Sequence, residues 1–166
     1  MALTNNDDSA WGSVEGFFDH IDSGPKNKRV INVESEVWGK LRSKDLKPNP
    51  GDGFAFYHTT RALFERSDPF RGRPRISLMG ELKDLRQDGQ FITWISVKIH
   101  RAEMRHLRSK PIVRDGNTEP LFRQCGIIKG SVATYFEVPS NIWAQFRELA
   151  GNPKLQQQTA SFSRNG

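Results

Sequence analysis

Cysteine is almost absent from this chain of 166 residues, which contains Cys125 and no other. A single cysteine can form neither an internal disulfide nor a zinc site built on paired cysteines, and such usage is typical of a reducing compartment. Free cysteines are among the most buried residues, because the thiol behaves as a small apolar group. We therefore predict that Cys125 is a core residue and not a nucleophile.

Long apolar runs are also missing. No stretch approaches the ~18 to 20 apolar residues that a membrane helix needs, and residues 1–13, MALTNNDDSAWGS, lack the basic-then-apolar order of a secretory signal. These two absences predict a soluble, intracellular protein in the cytoplasm, with no membrane partner.

Catalytic and cofactor motifs are a third absence. The sequence has no H-E-x-x-H or paired Cys/His metal motif, no G-x-S-x-G turn and no glycine-rich phosphate loop. We therefore expect no metal and no cofactor, and favour a binding protein over an enzyme. In the enzymatic alternative, His58, Lys98 and Asp115 would supply general acid and base groups.

Positive charge is abundant. The chain has 25 lysines and arginines against 19 acidic residues, a formal net charge of +6. Residues 98–114 are especially basic, with Glu103 as their only acid, and residues 60–74 interleave arginines with Phe64 and Phe70. Clustered cations mark a surface for polyanions, although a charge run taken alone is often only a solvated face.

The length suits one domain with two loose ends. We predict disordered tails at 1–10 and 153–166, where little can be buried, and a single domain at 11–152. Strands scattered among short helices and long loops indicate an α+β domain on a curved or closed mixed sheet. The patterns predict strands at 16–21, 54–59, 76–85, 91–99 and within 127–138, and helices at 35–41 and 140–150.

Several short motifs resemble known families. From Trp94 to Glu119 the chain contains, in order, W-I-x-V-K, M-R-H-L-R, K-P-x-V and R-D-G-x-x-E, which resembles the second half of YTH domains, a family that binds N6-methyladenine. Residues 50–60, PGDGFAFYHTT, are similar to a strand entry of EVE domains. Val37 and Trp38 match the place of the first tryptophan of the YTH base-binding cage. Both families belong to the PUA-like superfamily, and the resemblance spans about residues 16–138.

The resemblance implies a small mixed β-barrel flanked by helices, with Trp94 packed inside and a base pocket at its mouth. The implied function is recognition of a modified base, such as N6-methyladenine or a methylated cytosine, flipped out of RNA or DNA by a monomeric protein. The implied pocket residues are Asp22, Ser23, Trp38, Gly39, Tyr57, His58, Thr59 and Phe64.

Basic residues would hold the flanking phosphates in the same scheme. The candidates are Arg71, Arg73, Arg105, Arg108, Lys110 and Arg114, of which Arg114 stands in the R-D-G turn where YTH domains place a backbone-contacting arginine. The loop before Trp94 has none of the further cage aromatics of YTH domains, so Phe64, Phe70 or Tyr57 remain alternatives for a second wall. Two other functions stay open at this point: a PUA-like nuclease and an unselective RNA-binding module.

Overall fold

The computed structural model describes residues 2–5, 14–58, 68–127 and 135–151. Strands and short helices are mixed along the chain, which confirms the predicted α+β class. The elements are β1 (Ala2–Asn5), α1 (Val14–Asp22), β2 (Val30–Lys40), β3 (Gly53–His58), β4 (Arg75–Asp88), β5 (Phe91–His100), α2 (Arg101–Ser109), β6 (Ile112–Val113), α3 (Glu119–Gln124), β7 (Tyr135–Phe136) and α4 (Ser140–Leu149).

One sheet contains all seven strands, in the order β2-β5-β4-β3-β1-β7, with β6 beside β4. Neighbouring strands are antiparallel except β1 and β3, which are parallel. The β4–β5 hairpin predicted from sequence is confirmed, and its tight turn places Gly89 at a φ of 55°. Hairpin turns favour glycine at such positions because a residue without a Cβ adopts positive φ without strain.

The sheet curls, but the described residues do not form the closed barrel that the sequence suggested. Leu41, just after β2, makes a single parallel bridge to Tyr135 of β7. Nearby, a Cβ on Gly39 would lie 1.2 Å from a ring carbon of Tyr135, which is fully buried. The two edges of the described sheet therefore meet around one aromatic ring, with one bridge and no ladder between them.

The curled sheet buries side chains on both faces. One cluster includes Phe18 of α1, Phe54 of β3 and Met104 of α2. The other includes Tyr57 of β3 and Phe122 of α3. Alternation along β3 sends successive residues to opposite clusters, which explains why this strand is apolar throughout. Cys125 belongs to the second cluster and is 5% exposed, as predicted.

Two predicted elements are of the wrong type. Residues 16–21 form part of helix α1 rather than a strand, and Phe18 and Ile21, one helical turn apart, are both buried. Residues 35–41, predicted as a helix, lie mostly in β2, which pairs with β5 from Val30 to Lys40. Short apolar runs fit both periodicities, and long-range pairing decided the outcome.

The ends of the domain also differ from expectation. Ala2–Asn5, predicted as part of a tail, forms β1 between β3 and β7.

Trp94 is half-buried rather than enclosed, and the Cζ atom of Arg86 lies 5.0 Å from its ring centroid. Helix α4 is confirmed, although Pro139 rather than Ser140 occupies its N-cap. Within the described ranges, no helix is long and apolar enough to cross a membrane.

Candidate nucleic-acid interface

The basic segment found in the sequence folds as the amphipathic helix α2, directly after β5. Met104 and Leu107 anchor it in the core, while Arg105 and Arg108 are exposed. Glu103 is buried and pairs with Arg147 of α4, which fixes the far side of the helix. The helix therefore presents cations outward from a rigid attachment.

Two aspartates of α1 pair with the arginines of α2. Asp22 lies 3.1 Å from Nε of Arg101 and 3.1 Å from Nη2 of Arg105. Asp19 lies 2.9 Å from Nη1 of Arg108. Asp22, predicted as a base contact, thus holds α1 against α2. Ser23, the next predicted pocket residue, donates a hydrogen bond from Oγ to the carbonyl of His20 (2.6 Å) and closes the turn after α1.

A cavity of about 370 Å³ opens between α1, the turn before β4 and α2. We call it the Phe18–Phe70 cavity; its lining includes Phe18, Asp68, Phe70, Arg75, Ser77 and Arg108. The Cζ atom of Arg108 lies 5.5 Å from the Phe18 ring centroid, and that of Arg75 lies 5.6 Å from the Phe70 centroid. Both distances suit cation–π contacts, so each aromatic wall carries an arginine.

Asp68 and Arg75 form an ion pair in the lining of this cavity. The Asp68 carboxylate accepts hydrogen bonds from both terminal nitrogens of Arg75, one of them at 3.1 Å, and Oδ1 also accepts from the N–H of Phe70 (2.7 Å). A bidentate pair orients the guanidinium strongly. The turn that carries Phe70 is therefore tied to the start of β4.

A second cavity, of about 480 Å³, lies at another part of the fold. Its lining includes Lys47, Asp52, Glu137 and Trp143, and none of the predicted site residues whose side chains the structure describes. Two carboxylates face one lysine there, which does not suit a phosphate backbone. We therefore take the Phe18–Phe70 cavity as the candidate site.

His58 lies behind the candidate site. It is fully buried, and its ring meets Phe18 edge-on at a centroid distance of 6.1 Å. Burial, assisted by the charge of Arg75, lowers the pKa of His58 to about 3, so the ring is neutral near pH 7. The Asp115 carboxylate accepts hydrogen bonds from the N–H groups of Asn117 (2.9 Å) and Thr118 (3.2 Å) in its own turn. This arrangement gives no support to acid–base catalysis by these two residues.

Arg114 points inward. Its Nε and Nη2 donate to the two carboxylate oxygens of Glu119 (2.6 and 2.7 Å), and Nη2 also donates to the carbonyl of Ile127 (2.9 Å). Nη1 donates to the hydroxyl of Tyr57 (3.2 Å), a residue that is 3% exposed. The hydrogen bonds to Glu119 raise the pKa of Arg114 above its usual value. Arg114 and Tyr57, predicted to hold a phosphate and a base, instead join α3 to the sheet.

The remaining predicted pocket and phosphate-binding residues lie in different environments. Gly39 packs against Tyr135, whose ring occupies the space that a side chain at this position would take. Trp38 lies in β2 where the pairing with β5 shifts register between Glu36 and Gly39, but its side chain lies outside the described part of the chain, as do Thr59 and Phe64. The surface cations Arg71, Arg73 and Lys110 are exposed, as expected.

Comparison with protein-family models, curated proteins and solved structures finds no match.

Sequence patterns missed most of the cavity lining. Phe18 was assigned to a strand, and Asp68 and Ser77 carried no motif. Local signals existed for Phe70 and Arg75, through the interleaving of aromatic and basic residues, and for Arg108, through the basic segment. The other residues become neighbours because α1 and α2 pack across one end of β4.

Proposed function

We propose that this protein binds nucleic acid and encloses one extruded, modified base in the Phe18–Phe70 cavity. The observation that carries the proposal is a base-sized opening with two arginine-capped aromatic walls beside an exposed basic helix. Small-molecule sites typically measure about 300 to 1,000 Å³ and combine apolar walls with a few oriented polar groups. The cavity, at about 370 Å³, is of this kind.

Exposed cations border the cavity on two sides. Arg71 and Arg73 belong to the same turn as Phe70, and Lys110 follows Ser109, which lines the cavity. None of these three cations forms an ion pair within the described ranges. Arg105 and Arg108 do form pairs, but exposed pairs are worth only about 0 to 1 kcal/mol. A phosphate can therefore compete with Asp22 and Asp19 for these two arginines.

The cavity suits a base that has left its stack. Extrusion from a duplex costs a few kcal/mol and much less from a single strand, so affinity should follow the ease of extrusion. The resemblance to YTH and EVE domains is the reason for proposing that the bound base is modified. It is also the reason for proposing that the fold is PUA-like. In support of that origin, the sheet curls until Gly39 and Tyr135 touch. The predicted role of Trp38 as a pocket wall stays a prediction.

Replacing Arg71 and Arg73, the two exposed arginines of the turn, should weaken the binding of all oligonucleotides by a similar factor. In the double variant Arg71→Gln/Arg73→Gln we expect the slope of log affinity against log salt to fall by about two units, because each phosphate contact contributes about 0.9 unit. Fluorescence anisotropy at several salt concentrations measures this slope.

The matched control is Lys83→Gln/Arg86→Gln. Both residues are exposed on β4, and Lys83 lies eight residues beyond Arg75, about 25 Å along the strand. The control should keep the wild-type slope. An equal loss in both double variants would mean that the charge acts through the whole molecule and not at this face.

A panel of otherwise identical oligonucleotides tests the proposed function as a whole. The probes carry plain or modified bases at one central position, in single- and double-stranded form, at fixed salt. Preference for a modified base supports the proposal, and equal affinity for all probes would favour the unselective binding module. Mass spectrometry after prolonged incubation, with and without divalent metal, should return the probes intact; reproducible cleavage would favour the nuclease.

A further inference from the structure

Ser77 occupies an irregular position in β4. In the pairing with β3, Phe56 faces Leu78 and Tyr57 faces Ile76, so Ser77 has no partner residue across the ladder. Such a β-bulge changes the direction of the extra side chain, and bulges occur frequently next to binding sites. Here the extra side chain lines the Phe18–Phe70 cavity.

The hydroxyl of Ser77 is buried without a partner. The residue is 2% exposed, and its Oγ atom has no hydrogen-bond partner within the described part of the chain. Buried polar atoms are nearly always hydrogen-bonded, since leaving one unsatisfied is unfavourable. Because Ser77 also lines the Phe18–Phe70 cavity, its unsatisfied hydroxyl is a candidate to bind a polar atom of a ligand there.

The charges around the cavity favour a neutral ligand. Arg75, the buried cation of the lining, is paired with Asp68. Its charge is thus offset by a carboxylate inside the cavity, which does not suit a phosphate dianion there. The polar groups comprise a donor in Arg75, an acceptor in Asp68 and a hydroxyl that can act as either. This set matches the mixed donors and acceptors on the edge of a heteroaromatic base.

We propose that the Ser77 hydroxyl forms a hydrogen bond with the polar edge of a base packed against Phe18 and Phe70, and so determines which base is bound. This inference rests on the proposed function, which supplies the nucleic acid. Ser77 would then be the residue through which the protein distinguishes a base from an abasic position in the nucleic acid.

The test compares base-bearing and abasic probes. Short single strands of equal sequence carry adenine, cytosine, guanine, thymine, N6-methyladenine, 5-methylcytosine or an abasic residue at the central position. The wild-type protein should bind at least one base-bearing probe more tightly than the abasic probe. Ser77→Ala should reduce that ratio about threefold to tenfold, the effect of one hydrogen bond, and leave abasic affinity unchanged.

Ser109→Ala is the matched control. Ser109 also lines the cavity, but it is exposed and its Oγ donates to the carbonyl of His106 (3.0 Å). This variant should keep the wild-type ratio. In addition, Ser77→Ala should melt at the same or a higher temperature, because it removes an unsatisfied buried hydroxyl. A lower melting temperature together with weaker binding of all probes would assign Ser77 a structural role and overturn the inference.

The remaining outcomes separate this inference from the function on which it rests. If Ser77→Ala keeps the ratio, Ser77 does not contact the base and only this inference fails. If wild-type protein binds all probes and the abasic strand equally, the base site fails and both proposals fall. Competition by inorganic phosphate at matched ionic strength, weakened in Ser77→Ala, would make the cavity a phosphate site and overturn the inference.

Discussion

The free energy of unfolding should fall by about 2 kcal/mol between pH 6.5 and pH 5 because of His58 alone. In the folded protein burial lowers the pKa of His58 to about 3, against an ordinary value of 6.5. The unfolded chain therefore binds a proton over this range that the folded protein excludes. The contribution is present above pH 6.5 and is lost as pH falls towards 3, about 5 kcal/mol in total.

Urea denaturation at pH 7, 6 and 5 measures this effect in the wild type and in His58→Phe. The variant should lose the His58 part of the slope, whatever its stability at pH 7, and His58→Leu should behave likewise. Met104→Leu, a conservative change in the cluster that contains Phe18, should keep the slope. A wild-type slope in both His58 variants would show that this ring protonates in the folded state without cost.

A second titratable group, the carboxyl of Glu119, changes stability at lower pH. Hydrogen bonds from Arg114 and Arg123 lower the pKa of Glu119 to about 2. Its contribution is present above its ordinary pKa of 4.5 and disappears as pH falls from there towards 2. Glu119 therefore contributes mainly below pH 5, and the range from pH 6.5 to 5 keeps its contribution small.

Arg114→Ala should destabilise the protein by about 3 kcal/mol, because it leaves the Tyr57 hydroxyl and the Ile127 carbonyl without their donor in a largely buried position. The guanidinium also covers the Phe122 ring, with Cζ 5.5 Å from the centroid. Urea denaturation at pH 7 gives the size of the loss.

Arg123→Ala is the matched control, since its guanidinium contacts the same carboxylate of Glu119 at 3.0 Å but is 70% exposed. Its effect should stay below about 1 kcal/mol. A structural role and a phosphate contact of Arg114 also predict different salt dependence of nucleic-acid binding. Unchanged stability in Arg114→Ala, with a salt slope of binding lower by about one unit, would restore the phosphate contact implied by the R-D-G motif.

Local patterns predicted a substantial part of this fold. The alternation and turn chemistry of β3, β4 and β5, the helix α4 and the burial of Cys125 follow from short-range preferences that tertiary contacts reinforced. The same preferences were wrong for α1 and β2, because short apolar stretches fit both periods. Strand β1 had no local signal, since its pairing partners come from β3 and β7.

The candidate site was predictable only in its charge. Sequence alone established a basic chain with aromatic residues among its arginines, whereas the class of partner stays a proposal. Whether a given arginine faces solvent or the interior depends on contacts between distant segments. Arg105 meets Asp22 across 83 positions, and Arg114 meets Tyr57 across 57. Packing of α1 and α2 across β4 decided which side chains line the cavity, because burial and pairing arise only when remote parts of the chain come together.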